Sequence, residues 1–183
     1  MAPKSLPSQA HLNQRLSYEP DTGTLIWKAR PIGGFKSYRA MAAWNGRFAG
    51  KVAGSLNEEG YWVIRIDHHI YRSSRVIWKM VTGKEPPAEI DHHDLDRGNN
   101  RFGNLRAPDN LSKNRANVPT RRHSRSGLKG VQINPTVTKQ TYTAYISVNG
   151  RKKNLGCYDT PEEAHEAYCR ASRELHGEFH NPG

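Results

Sequence analysis

Asp91 and His92 adjoin in a strongly polar stretch, Ile90-Asp-His-His-Asp-Leu-Asp-Arg-Gly-Asn-Asn-Arg-Phe-Gly-Asn-Leu-Arg106, with Asn110, Asn114 and Asn117 just beyond it. A carboxylate is a hard oxygen ligand for a divalent cation. An imidazole can be neutral near pH 7 and so can take a proton from water. Side by side, the two can hold a cation and deprotonate a water, which is the equipment of metal-assisted hydrolysis. Asn amide oxygens further on can serve as extra ligands or can orient the imidazole. A second reading stands beside this one: Asn, Asp and Gly side chains in a loop often cap their own backbone. Two other metal sites are excluded. Asp94-Leu-Asp96-Arg-Gly98 lacks the carboxylate ladder and closing Glu of an EF-hand. Neither cysteine is near enough for a structural zinc site.

Composition narrows the substrate. Among 183 residues, 28 Lys and Arg face 17 Asp and Glu, a net charge of +11. An excess of that size points to a polyanionic partner, and nucleic acid fits better than an acidic membrane surface. No run of about 18 apolar residues occurs, so no transmembrane helix is expected, and the first residues lack the apolar core of a secretory signal. Cys157 and Cys169 alone cannot make a disulfide scaffold, and a reducing, cytoplasmic setting follows as the expectation. Phosphodiester hydrolysis needs a nucleophile, a proton acceptor and charge stabilisation at the leaving oxygen. His92 suits the second role, and a cation on Asp91 the third.

The elements that must position these residues are legible around them. Pro20-Asp-Thr-Gly23 is turn chemistry ahead of the strand-like Leu25-Ile-Trp27. Tyr61 to Ile66 alternates as a strand, His68-His69 reads as a turn, and Ile70-Tyr-Arg72 as the returning strand. Residues 33–51, rich in Gly, Ala, Lys and Arg, read as a loop. Within that loop, Trp44 alone is a candidate base-stacking aromatic. Val76, Ile77, Met80 and Val81 recur at helical spacing, and Gly83 with Pro86-Pro87 ends that helix.

With those residues in view, the segment resembles the HNH endonuclease family in its phage and homing form. The motifs are Asp91-His92, Asn100-Arg-Phe-Gly-Asn104-Leu-Arg106 and Asn114-Arg-Ala-Asn117, with Tyr71 to Gly83 resembling the family's preceding helix. Ser74 stands where the family carries a His. The resemblance runs over about 16–117 and implies a ββα-metal finger, a hairpin carrying Asp91 and His92 followed by a helix that supplies the last ligand. It implies His92 as general base and Asn104 orienting the His92 loop. It further implies Asp91 and Asn114 holding one divalent ion, Mg²⁺ or Mn²⁺. Asn110 and Asn117 stay open as alternatives to Asn114, and His93 as an alternative to His92.

Downstream, 112–129 is basic, carries no acidic residue, and includes Arg121, Arg122, Arg125 and Lys129, which could track a phosphate backbone. Beyond it, Val131 and Ile133, then Tyr142 to Val148, alternate as strands. Asn149-Gly150 is a hairpin turn and Arg151 to Leu155 a third strand. Thr160-Pro-Glu-Glu163 opens a helix with a capping box. Its apolar stripe is Ala164, Ala167, Tyr168, Ala171 and Leu175, and Gly177 stops it. Ser126-Gly-Leu-Lys-Gly-Val, Tyr142-Thr-Ala-Tyr-Ile and Leu155-Gly-Cys-Tyr-Asp-Thr-Pro-Glu-Glu-Ala resemble the APETALA-type (ethylene-response-factor) DNA-binding domain, whose exposed sheet lies in the major groove. Alternation puts Gln132, Asn134, Tyr145, Ser147, Lys152 and Asn154 on the face away from the helix.

The chain is therefore expected to be α+β: a β-rich region leading into the ββα-metal finger, a basic linker, and a three-stranded antiparallel sheet on one helix. The expected divisions are a tail at 1–11, a nuclease domain at 12–117 with its core at about 70–117, a linker at 118–125, and a DNA-reading domain at 126–180. The expected partner is double-stranded DNA, with no membrane, and the chain acts as a monomer or homodimer in a bacterial host, encoded by a phage or mobile element. The alternative reading is a non-catalytic DNA-binding regulator that retains the nuclease fold.

Overall fold

The computed structural model describes residues 5–108, 117, 118, 120, 124–135 and 140–183. The chain forms two compact units, 1–107 and 108–183. That division falls inside the expected nuclease domain, ten residues before its expected end.

Unit 1 begins earlier than a tail at 1–11 allows. Leu6 is buried, Ser8 caps helix α1 (Gln9–Arg15) by accepting from the His11 N–H, and Leu12 is fully buried. β1 (Leu16–Glu19) and β2 (Thr24–Trp27) pair antiparallel, Leu16 opposite Trp27, around the expected turn at residues 20–23. The stretch read as a loop instead contains helix α2 (Tyr38–Phe48), capped by Ser37. Trp44 and Phe48, four apart, lie on one helical face and pack together, with Trp44 edge-on to Trp27 and under the Arg30 guanidinium. Trp44 is thus a packing residue. Its helical signal was masked by Gly46 and by the Ala-rich outer face.

β3 (Ser55–Leu56), β4 (Trp62–Ile66) and β5 (His69–Arg72) make an antiparallel sheet. The β4–β5 turn falls at Asp67-His68, both left-handed, one residue ahead of the expected place. α3 (Ser73–Thr82) follows directly and ends at left-handed Gly83. Ile64 and Ile66 of β4 meet Val76 and Ile77 of α3 in the core, together with Leu12, Leu16 and Leu25. Val81 is exposed, while Trp78 packs on the core with Phe102. Last come β6 (Asp91–His92) and β7 (Leu105–Arg106), a minimal antiparallel pair. Whether a helix completes a ββα finger falls on 109–116, outside the described residues.

In unit 2, β8 (Val131–Asn134), β9 (Thr141–Val148) and β10 (Arg151–Tyr158) form an antiparallel sheet in the order β10-β9-β8. Helix α4 (Pro161–His176) packs on it, with both hydrogen bonds of the Thr160/Glu163 capping box present and Gly177 at its end. Ala164, Ala167 and Tyr168 are buried as the stripe requires, but Leu175 is exposed; Cys169, Ser172 and His176 are buried instead. Gly130 has φ of +76°, and a Cβ there would stand 2.2 Å from the Tyr168 ring. The close approach of β8 to α4 therefore requires glycine. Among the described residues no helix is long and apolar enough to cross a membrane.

Candidate active site

The β6–β7 pair sets the geometry. Asp91 lies opposite Arg106, and His92 opposite Leu105. All four side chains are buried. Arg106 Nη2 donates to Asp91 Oδ2 at 2.6 Å, a charge-assisted bond between two groups nearly hidden from solvent. His92 Nε2–H donates to the Asn100 amide oxygen at 3.2 Å, and Asn100 is itself 2% exposed. With that proton on Nε2, Nδ1 is the basic nitrogen of the neutral ring. His93 lies in the exposed turn after β6.

Asn104 fastens that turn rather than the ring. Its backbone carbonyl accepts from His93 N–H, its amide oxygen from Asp94 N–H, and its Nδ2 donates to Asp94 Oδ1 and to the Asn99 carbonyl. Asp94 also accepts from Asn99 Nδ2 and from the Asp96 N–H. Partial burial works against the Asp94 carboxylate. The hydrogen bonds from Asn99, Asn104 and Asp96 and the nearby His92 outweigh it and hold this carboxyl below its ordinary value. Leu95, at φ of +67°, is held in the same turn by its N–H bond to the His92 carbonyl. This turn uses Asn and Asp to cap its own backbone, as the second sequence reading has it: Asp94, Asn99 and Asn104 fix the turn, while His92 meets Asn100 and Asp91 meets Arg106.

The β1–β2 hairpin buttresses the site across 80 to 84 residues of sequence. Tyr18 Oη accepts from Phe102 N–H at 2.8 Å and donates to the Asn100 carbonyl. Burial pushes the Tyr18 phenol up. Arg101 Nε donates to the Asp21 carbonyl. Gly23, at φ of +72°, passes so near that a Cβ would lie 2.4 Å from Arg101 N and 2.5 Å from Asn100 C. Gly23→Ala must therefore strain its own backbone and push the Asn100 segment away. We expect it to destabilise unit 1 by about 2 kcal/mol or more and to slow any reaction that uses His92. Urea titration checks the first, and a stability within about 0.5 kcal/mol of wild type would show that the turn yields freely.

Of the expected ligands, Asn110 and Asn114 lie outside the described residues. Asn117 belongs to unit 2, where its amide oxygen accepts from Asn181 Nδ2 at 3.3 Å. Among the described residues no group of three or more His, Cys, Asp or Glu is placed to hold a metal. The donor chemistry present still fits one hard cation. Asp91 presents two hard carboxylate oxygens, and Arg106 donates to Oδ2. Mg²⁺ characteristically binds through one or two carboxylates, substrate phosphate and water rather than an all-protein cage.

In unit 2, the register sets Gln132 opposite Thr143, Tyr145 opposite Asn154 and Ser147 opposite Lys152, all on the face away from α4. Lys152 lies over the Tyr145 ring, the Tyr145 hydroxyl meets Gln132, and Asn134 Nδ2 donates to Thr143 Oγ1. Thr143 and exposed Cys157 share this face, and alternation in the sequence could have included them. Lys129 does not belong to it. Its Nζ donates to the Asn181 carbonyl and lies toward the Tyr168 ring of α4, and burial lowers its pKa to about 8. Left-handed Gly130 follows it, just ahead of β8. Arg125 is exposed, and Arg121 and Arg122 lie outside the described residues.

A buried Asp–His strand, an amide on the imidazole and a fastened turn thus meet at β6, β7 and the residues between them. Residues 71–115 match the protein-family model described as HNH endonuclease, a stretch that includes the end of β5, then α3, β6 and β7. The match supports an HNH nuclease domain at these residues, and with it a nuclease acting on DNA. No curated protein and no solved structure matches the chain.

Proposed function

We propose that the chain is a divalent-metal-dependent endonuclease of double-stranded DNA, its centre at Asp91 and His92 and its unit 2 sheet a DNA-contacting surface. The observation that supports this reading is the His92–Asn100 hydrogen bond within the family-matched segment, which orients the buried imidazole next to Asp91 in sequence. His92 takes a proton from water as the water oxygen bonds to phosphorus. The bond from phosphorus to the leaving oxygen breaks, and that oxygen takes up a proton. Asp91, with Asn114, would hold the cation, Mg²⁺ or Mn²⁺, which when bound offsets charge on the phosphate oxygens. Asn104 acts at one remove, by fixing the turn that follows His92.

The sheet reading rests on different support. Gln132, Asn134, Tyr145, Ser147, Lys152 and Asn154 gather polar and basic groups on one flat face, and Arg121, Arg122 and Arg125 precede it in sequence. The resemblance to the APETALA-type domain points the same way. The experiment is plasmid nicking by the full chain with Mg²⁺, Mn²⁺ or EDTA. Metal-dependent nicking is expected; a mobility shift on the same DNA without nicking under any ion would favour the binding-protein reading.

A further inference from the structure

Beside His92, three residues from separate elements converge without any role in the reaction so far described. The Tyr61 ring, just before β4, has its centroid 6.1 Å from that of His92. The Arg72 guanidinium, at the end of β5, lies 3.9 Å from the Tyr61 centroid, and the Arg97 guanidinium, in the turn after His92, lies 5.0 Å from it. Two cations sharing one aromatic ring repel each other, and the nearby acids do little to offset that. Glu59 approaches Arg72 only at 3.5 Å in an exposed pair, and to Arg97 it offers its backbone carbonyl. Asp94 is engaged by Asn99, Asn104 and the Asp96 N–H, and an Asp96 oxygen accepts from Gly98 N–H. Arg72 is also the N-cap position of α3, whose first N–H groups have no side-chain cap, so the positive end of a helix dipole adds to the same place.

We propose that Arg72 and Arg97, stacked on Tyr61, form a phosphate-binding clamp that seats one backbone phosphodiester against His92. A guanidinium lying over a ring keeps its edge N–H groups directed outward. A planar fork of donors suits the two non-bridging oxygens of a phosphodiester. The anion relieves the repulsion between the arginines, which explains why the fold brings them together. The ring fixes their distance from the imidazole, so the clamp positions the reacting phosphorus as well as binding it. This inference rests on the nuclease reading for its consequence in catalysis, but not for the binding itself.

The test is duplex binding by the full chain in EDTA across a range of salt concentrations, comparing wild type with Arg72→Ala, Arg97→Ala and the double variant. Each phosphate contact contributes about 0.9 to the slope of log K against log salt. Each single variant is expected to lower the slope by about one and the double by about two. Tyr61→Phe, which keeps the ring, is expected to retain the wild-type slope, and Tyr61→Leu to lose part of it. A merely structural role would lower the melting temperature without moving the slope. Should the double variant fold poorly, Arg72→Gln carries the comparison alone. An unchanged slope in the folded variants overturns the clamp. Metal-dependent nicking by wild type is a separate readout, so loss of the nuclease reading leaves the slope result standing, and the reverse holds too.

Discussion

His92→Ala is expected to lower metal-dependent plasmid nicking by about 10²–10⁴-fold, the usual contribution of a positioned general base. DNA affinity should remain near wild type. The two effects separate because the imidazole, 5% exposed, adds little to the surface that meets DNA. The cations that could grip a phosphate backbone are other residues, among them exposed Arg72, Arg97 and Arg125. The turn itself should survive the substitution. Its bonds run through the Asn104 side chain, the Asp94 carboxylate and backbone groups, and the His92 contribution to it is a carbonyl that alanine retains. Time courses at saturating enzyme, with the mobility shift measured alongside, check both halves. Nicking by the variant at the wild-type rate would place the base at another residue, and exposed His93 is the first to examine.

The largest effect on stability is expected at Arg106. Its guanidinium and the Asp91 carboxylate form a cross-strand pair with side chains only 8% and 9% exposed. Removing one member of such a pair leaves the other charge in a poorly solvated place, at a cost of about 3–5 kcal/mol. Arg106→Ala should therefore shift the unit 1 transition in urea by that amount, with no comparable shift in unit 2. Combining it with Asp91→Asn should recover part of the loss, because the second substitution removes the buried charge as well. A loss below about 1 kcal/mol in the single variant, with no recovery in the double, would mean that solvent reaches the pair and screens it. The nicking assay adds a second expectation. Arg106 holds the carboxylate that would carry the cation, so the variant should need more Mg²⁺ or Mn²⁺ for the same rate.

Unit 2 was the most legible part of the chain, because its signals are local. Period-two alternation in β8 and β9, Asn149-Gly150 between β9 and β10, and Thr160 three residues before Glu163 each act within a few residues. Lys129 escaped the same reasoning. Alternation says which face a strand residue takes, but Lys129 precedes β8, with left-handed Gly130 between, and its Nζ lies toward the Tyr168 ring. Helix α2 was misread for a related cause. Its apolar face is two aromatics four apart, Trp44 and Phe48, both only partly buried, with Trp44 packed on Trp27 and Phe35 from elsewhere in the chain.

At the candidate site the division is clearer still. The residue types and their spacing, from Asp91-His92 to Asn104-Leu-Arg106, determined the chemistry that could occur: a hard oxygen ligand, an imidazole base, and amides to hold them. Side-chain chemistry is a property of the sequence and survives any arrangement. Which amide serves which group was decided by the tertiary structure. Asn100 meets the imidazole while Asn104 fastens the turn, because the Tyr18 and Gly23 hairpin presses on the backbone of residues 100–102 and sets its direction. Tyr61, Arg72 and Arg97 carry no common signal along the chain. They become neighbours only because β4, β5 and the turn after β6 fold to one place, and proximity between distant segments is a product of packing alone.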